Sequence, residues 1–287
     1  MKVIQTVSEM NATVAAPKQA GQPIVLVPTM GALHAGHASL MRQTPGTVVV
    51  SIYVNPTQFG PQEDFTKYPR TLEADCTICE QAGAAIVFAP TDAEMYPAPS
   101  GASAGGVAAV STWVDEVQVA RRLEGERRPG HFRGVCTVVA KLFNIVRPDY
   151  AVFGQKDYQQ LKVIQRMVRD LRYPIEIVPA PIVREADGLA LSSRNRYLTP
   201  AERAQAAAIW KSLTTARDLF QAGERNPDYL QATIQRLLGT LPAFRLDYAE
   251  IADAETLEPV KVLQPGNILL IAAYLGQTRL IDNLRLG

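Results

Sequence analysis

The sequence predicts an α/β protein, a parallel sheet covered by helices and followed by a smaller α+β domain, and three observations carry that expectation. Apolar runs recur at Ile24 to Val27, Val48 to Val54, Ala85 to Ala89, Tyr150 to Phe153 and Ile175 to Val178. They are continuous rather than alternating, as strands buried on both faces are. Stretches of helical period separate them, and this strand and helix alternation ends near Asp187-Gly188, a two-residue turn signal between short extended segments.

Each element follows from a local rule. Pro23 to Val27 reads as a strand, and Pro28-Thr29-Met30-Gly31-Ala32-Leu33-His34-Ala35-Gly36-His37 leads from it into a helix starting near Gly36. Val135, Val138, Val139, Leu142, Phe143 and Val146 mark one face of a helix that has to stop before Pro148. Leu161, Ile164, Val168 and Leu171 mark the next, and both faces are assigned to the core. Thr199-Pro200-Ala201-Glu202 supplies a cap, a proline at the first helical position and a glutamate at the third, opening a long helix through about Ala222. A second helix and strand-like Leu246 to Ile251, Ile268 to Leu275 and Arg279 to Leu284 complete the chain. Two domains are expected, 1–187 and 188–287. Gly101-Ala102-Ser103-Ala104-Gly105-Gly106 reads equally as a lid over a site and as a plain connector.

Composition narrows the function. A chain of 287 residues buries about three quarters of its unfolded surface and needs no staples. With 29 basic against 28 acidic residues, no bulk field recruits nucleic acid or an anionic membrane, so neither partner is expected. The N-terminus lacks an apolar leader and the longest aliphatic run, Ile268 to Leu275, is too short to span a bilayer. Three cysteines form no disulfide framework, and Cys76-Thr77-Ile78-Cys79 has no second pair to complete a zinc site. A cytoplasmic location is expected.

Chemistry concentrates where the first strand ends. A strand followed by a Gly-containing turn and a helix aims N–H groups and the helix dipole at one point, which suits a phosphate. Two of the chain's three histidines, His34 and His37, stand at that mouth. His37 and Ala38 occupy the places where a P-loop needs Lys and Ser or Thr, and no G-x-G-x-x-G follows a strand. What remains is H-x-G-H, the signature of nucleotidyl-transferring α/β enzymes.

Four more segments carry more polar residues than a core needs: Tyr53-Val54-Asn55-Pro56-Thr57-Gln58-Phe59-Gly60, Arg127-Arg128-Pro129-Gly130-His131-Phe132, Phe153-Gly154-Gln155-Lys156-Asp157-Tyr158-Gln159-Gln160, and Leu191-Ser192-Ser193-Arg194-Asn195. With H-x-G-H, in this order and spacing from about Pro28 to Thr199, they make the chain resemble the pantothenate synthetases, the pantoate:β-alanine ligases. The resemblance implies a homodimeric enzyme with a Rossmann-like parallel sheet with helices on both faces, plus a smaller C-terminal α+β domain. It also implies two steps. ATP and pantoate give pantoyl adenylate and pyrophosphate, then the amine of β-alanine displaces AMP.

The resemblance assigns roles. Met30, Gly31, Ala32, Leu33, His34, Ala35, Gly36 and His37 border the nucleotide, with His34 and His37 facing the triphosphate and acting in catalysis. Lys156 is the third catalytic candidate, following charge along the α-phosphate. Ser192, Ser193 and Arg194, after Leu191, grip the outer phosphates. Gly154 and Asp157 suit the ribose and Val183 backbone groups the adenine, with Gln155 also bordering the nucleotide. Gln58 and Gln160 supply neutral amides for pantoate, Asn55, Met30 and Tyr68 complete that pocket, and Arg128 serves the leaving group or loop closure. Mg²⁺ bridging the phosphates is required by the chemistry, but its ligands are left unassigned. Within Thr71-Leu72-Glu73-Ala74-Asp75 some members carry adjacent acids where this chain has only Asp75, which serves the metal or simply the helix dipole. A nucleotidyltransferase acting on a phosphate ester and a non-catalytic ATP-binding module stay open as alternatives.

Overall fold

The computed structural model describes residues 1–61, 63, 65–97 and 110–287. The candidate lid, Gly101 to Gly106, lies outside them. The chain divides into two units, Met1–Gln155 with Gln159–Ala180, and Lys156–Tyr158 with Pro181–Gly287.

The first unit is built on six strands, β1 (Lys2–Ile4), β2 (Ile24–Thr29), β3 (Thr47–Ile52), β4 (Ile86–Phe88), β5 (Tyr150–Gly154) and β6 (Glu176–Ala180), in the order β1-β4-β3-β2-β5-β6. Every neighbouring pair is parallel. Val25, Leu26, Val27, Val49 and Val50 are sealed from solvent, which is why these stretches read as unbroken apolar runs. Strand β1 is not legible in the sequence: it is three residues long, lies at the sheet edge and exposes two of them. The accompanying helices are α1 (Val7–Gln19), α2 (Ala35–Leu40), α3 (Leu72–Ala82), α4 (Asp92–Met95), α5 (Glu124–Arg127), α6 (His131–Val146) and α7 (Tyr158–Asp170). The expected α6 face is buried throughout. On α7 the helix stops at Asp170, so Leu171 is 53 % exposed instead of in the core, and Val163 and Met167 join Leu161 and Ile164 inside.

Strand order decides where a ligand fits. From β2 the chain adds β3 and β4 on one side, then returns to add β5 and β6 on the other. That reversal is the switch point of an open parallel sheet, and the crevice beyond the carboxyl ends of β2 and β5 is where such sheets bind ligands. Thr29 ends β2 and opens into the H-x-G-H segment, while Gly154 ends β5.

In the second unit α8 (Pro200–Ala206), α9 (Ala208–Gln221) and α10 (Pro227–Gly239) accompany an antiparallel sheet, β7 (Phe244–Ala252), β8 (Ile268–Leu275) and β9 (Thr278–Arg285). Leu213, Ile234, Leu269 and Ile271 lie in its core. The single long helix expected from Thr199 is interrupted at Ala207, whose N–H turns to Gln205 O, and no Gly or Pro marks the break. The division between units comes at Ala180–Pro181, ahead of the expected 187/188. The segment before Gly188 is held inside the second unit, because Arg184 donates to both oxygens of Asp282 at 2.6 and 2.9 Å and bridges back to Ala190.

Candidate active site

The turn after β2 is held by one buried carboxylate. Asp75, 1 % exposed on α3, accepts Ala32 N–H on Oδ2 at 3.0 Å and Leu33 N–H on Oδ1 at 2.7 Å, and Thr71 Oγ1 donates to Oδ2 at 3.2 Å. Gly31 at φ +83° and Ala32 at φ +51° form the bend; a Cβ on Gly31 would sit 2.9 Å from Asp75 Oδ2. Ala32 in the left-handed region costs about 1–2 kcal/mol, which the charge-assisted hydrogen bonds offset.

The two imidazoles then cap each other's turn. His34 Nδ1 accepts from Gly36 N–H at 3.1 Å, His37 Nδ1 accepts from His34 N–H at 3.3 Å, and the rings lie 4.1 Å apart. An accepting Nδ1 leaves the proton of each neutral ring on Nε2. Several N–H groups of this turn are bonded within the chain. Gly31 N–H bonds Thr29 Oγ1, those of Ala32 and Leu33 bond Asp75, and His37 N–H bonds His34 O. Helix α2 is also only six residues long. The His34 and His37 rings add imidazole N–H groups at this mouth.

The candidate pantoate residues form a second network in the same unit. Asn55, 1 % exposed, donates through Nδ2 to Gln58 Oε1 at 3.1 Å and to Gly134 O at 3.2 Å, while its Oδ1 accepts from Tyr96 OH at 2.7 Å and from Thr57. Every polar group of this amide is engaged, so its orientation is fixed, and that orientation in turn fixes Gln58. With Oε1 accepting, Gln58 presents Nε2 as donor, 3.2 Å from Met30 Sδ, a weak acceptor. Tyr68 is buried with its ring against Phe59. Helix α6 clamps the same turn, since a Cβ on Gly134 would run into the Thr57 carbonyl.

His131 carries no assigned role in the sequence, and it joins two residues that do. Its Nδ1–H donates to Gln58 O at 2.8 Å, leaving Nε2 to accept from Arg128 at 3.0 Å. Burial, with the Arg128 guanidinium beside it, pushes this imidazole down to about 4. Arg128 is also paired through two donors with Glu63 at 2.8 and 2.7 Å, a tie that suits loop closure. Gln159 donates to Val119 O and Arg122 O and accepts from Glu124 N–H, whereas Gln160 makes no side-chain hydrogen bond among the described residues. A cavity of about 290 Å³ opens beside the turn, lined by Met30, Gly31, Tyr53, Arg70 and Asp75 among others. Burial pushes the Cys79 thiol up to about 12, opposite to what a metal ligand or nucleophile needs.

The second unit carries the other nucleotide candidates. Lys156 lies 3.9 Å from Asp157, and its carbonyl accepts from Asn283 Nδ2 at 3.0 Å. Val183 O accepts from Leu191 N–H at 2.9 Å. Ser192 caps a 3-10 turn over Ser193–Tyr197, its Oγ accepting from Arg194 N–H at 3.2 Å. Asn283 and Asp282, one bracing Lys156 and the other Arg184, carry no sequence signal because both lie on an ordinary-looking C-terminal strand.

Comparison with known proteins identifies the chemistry. The sequence model of the family described as pantoate-beta-alanine ligase matches residues 2–285. The chain belongs to that family. Pantothenate synthetase of Geobacter sulfurreducens is 52 % identical over 290 residues, covering 100 % of this chain and 99 % of its own. The crystal structure of pantothenate synthetase from Thermus thermophilus superposes with a TM-score of 0.90 at 42 % identity, over 99 % of both chains. The pantoate-beta-alanine ligase from Francisella tularensis, complexed with beta-gamma ATP and beta-alanine, gives 0.77 at 31 % identity, over 99 % of this chain and 97 % of that one. Membership makes the chain an enzyme that ligates pantoate and β-alanine. Among the described residues no helix is long and apolar enough to cross a membrane.

Two outcomes follow from this geometry. An unfolded histidine titrates near 6.5 and native His131 near 4, so between those values the unfolded chain binds a proton that the native one refuses. Stability is therefore lost as pH falls through that window, and denaturation midpoints of wild type and His131→Gln should show the slope in the former only. Gly134→Ala should displace the Asn55–Gln58 turn, raising the pantoate KM while calorimetric ATP binding persists; equal loss of both ligands would mean that the clamp serves the whole unit.

Proposed function

We propose that the chain adenylates pantoate with ATP and transfers the pantoyl group to β-alanine. A pantoate carboxylate oxygen attacks the α-phosphorus and pyrophosphate leaves. The β-alanine amine then attacks the acyl carbon, AMP leaves with the bonding pair, and the amine loses a proton. The His34–His37 pair carries this reading, with both Nδ1 atoms tied by backbone N–H groups beyond the end of β2.

A carboxylate is a poor nucleophile, so rate comes from positioning and from stabilising charge as pyrophosphate departs. His34 and His37 supply Nε2–H donors for that charge, and Lys156 supplies an ammonium. Ser192, Ser193 and Arg194 are assigned to the outer phosphates, Asp157 and Gly154 to the ribose, and Val183 to the base, with Leu191 bordering the nucleotide. A Cβ on Gly154 would meet only Leu40, at 3.8 Å, so the packing around it does not require glycine, which suits close approach of a ligand. Gln58 and Gln160 hold pantoate through neutral amides that leave the attacking oxygen its charge, and Asn55 acts through Gln58. Mg²⁺ bound with ATP would neutralise charge on its phosphates. The described residues hold no group of three or more His, Cys, Asp or Glu placed for a metal. We extend the reading to a cytoplasmic homodimer on the family resemblance.

Single-turnover pyrophosphate release tests the phosphate roles. His37→Ala should slow it roughly 10²-fold or more, as loss of an oxyanion donor does, and His34→Ala somewhat less. Lys156→Ala should slow it too, while a supplied pantoyl adenylate is still converted with β-alanine at a substantial fraction of the normal rate. Unchanged release in all three would remove the assignment. Gln58→Ala and Gln160→Ala should weaken pantoate strongly and leave ATP nearly intact by calorimetry; weakened ATP with unaltered pantoate would reverse their roles.

A further inference from the structure

We propose that Asp75 is a positioning residue for adenylation, acting through the turn it holds and thereby through His34 and His37, and that it is not a ligand of Mg²⁺. The proposal rests on the phosphate role of the two histidines given above.

Both oxygens of the carboxylate are engaged by the turn and its neighbour. Each oxygen takes one consecutive N–H, Oδ1 that of Leu33 and Oδ2 that of Ala32, and Oδ2 also takes the Thr71 hydroxyl. The side chain is 1 % exposed although it borders the cavity of about 290 Å³. A cation drawn to this carboxylate would pull against the two backbone donors that hold a bend with Ala32 at φ +51°. His34 comes directly after the second donor. Its own N–H holds His37 Nδ1, and its ring caps Gly36, so the direction of the Leu33–His34 peptide sets both imidazoles and keeps both protons on Nε2. Asparagine cannot substitute. It has one acceptor oxygen, and its NH₂ would face the other N–H.

The test compares wild type, Asp75→Asn and Thr71→Val in the full-length protein. Asp75→Asn should slow single-turnover pyrophosphate release roughly 10²-fold, the scale of a displaced catalytic group, and Thr71→Val severalfold. Conversion of supplied pantoyl adenylate with β-alanine should be little changed, and so should the Mg²⁺ concentration giving half-maximal release. Nitrogen-15 spectra of the histidines, recorded without nucleotide, should show protonated Nε2 and unprotonated Nδ1 at both positions in wild type, and loss of that pattern in Asp75→Asn. Should Asp75→Asn fail to fold, Thr71→Val decides by the same rate and spectra. Unchanged spectra with activity recovered by added Mg²⁺ would overturn the proposal in favour of metal ligation. Unchanged rates in both variants, with His37→Ala still defective, would overturn it and leave the reaction standing. Absence of pantoate-dependent pyrophosphate release from wild type would instead remove the functional reading beneath it.

Discussion

A strand that stops in the middle of a parallel sheet has to turn without leaving buried backbone donors unpaired, and the turn after β2 meets that constraint with a side chain from another helix. Asp75 satisfies Ala32 and Leu33 from 43 and 42 positions away in sequence. Leaving such N–H groups buried and unpaired would cost about 1–3 kcal/mol each. The bend that leads into H-x-G-H, with Ala32 at φ +51°, depends on this one acceptor.

The same logic runs through the network around Asn55 and Gln58. A neutral amide reverses its donors and acceptors by a half turn, so an isolated glutamine specifies little. Gln58 is specified because Asn55 donates to it, and Asn55 is specified because Gly134 O demands a donor while Tyr96 and Thr57 demand an acceptor. His131 holds the backbone of the same turn and stays uncharged at neutral pH because it is buried beside a cation. Polarity is thus transmitted inward from groups that never need to meet a ligand.

In the second unit, β9 has a comparable task. Asp282 anchors Arg184, which also stacks 3.7 Å from the Trp210 ring, and Asn283 holds the Lys156 carbonyl. Adjacent residues of one strand therefore fix the segment carrying Val183 and the turn carrying Lys156. Neighbouring glutamines on α7 show how fine such divisions are: Gln159 spends its whole amide on the 119–124 segment, and Gln160 does not.

By itself the sequence determined the order of strands and helices, the parallel character of the first sheet, the place of H-x-G-H at a strand's end and the family. Those depend on local periodicity, turn chemistry and short motifs, which neighbouring residues express. It also misleads in particulars for the same reason. Leu171 fits the apolar spacing of α7 but lies past the helix end, the break at Ala207 has no marker residue, and β1 is too short and exposed to show a pattern. Only tertiary structure decided that the first-turn acid Asp75 also binds the turn after β2, that Asn55 ties Gln58 to Gly134, and that His131 links Gln58 to Arg128. The Leu33–Asp75, Asn55–Gly134 and His131–Gln58 hydrogen bonds each join residues tens of positions apart, and the geometry of such a pair is set by the packing of whole elements, which no local pattern encodes.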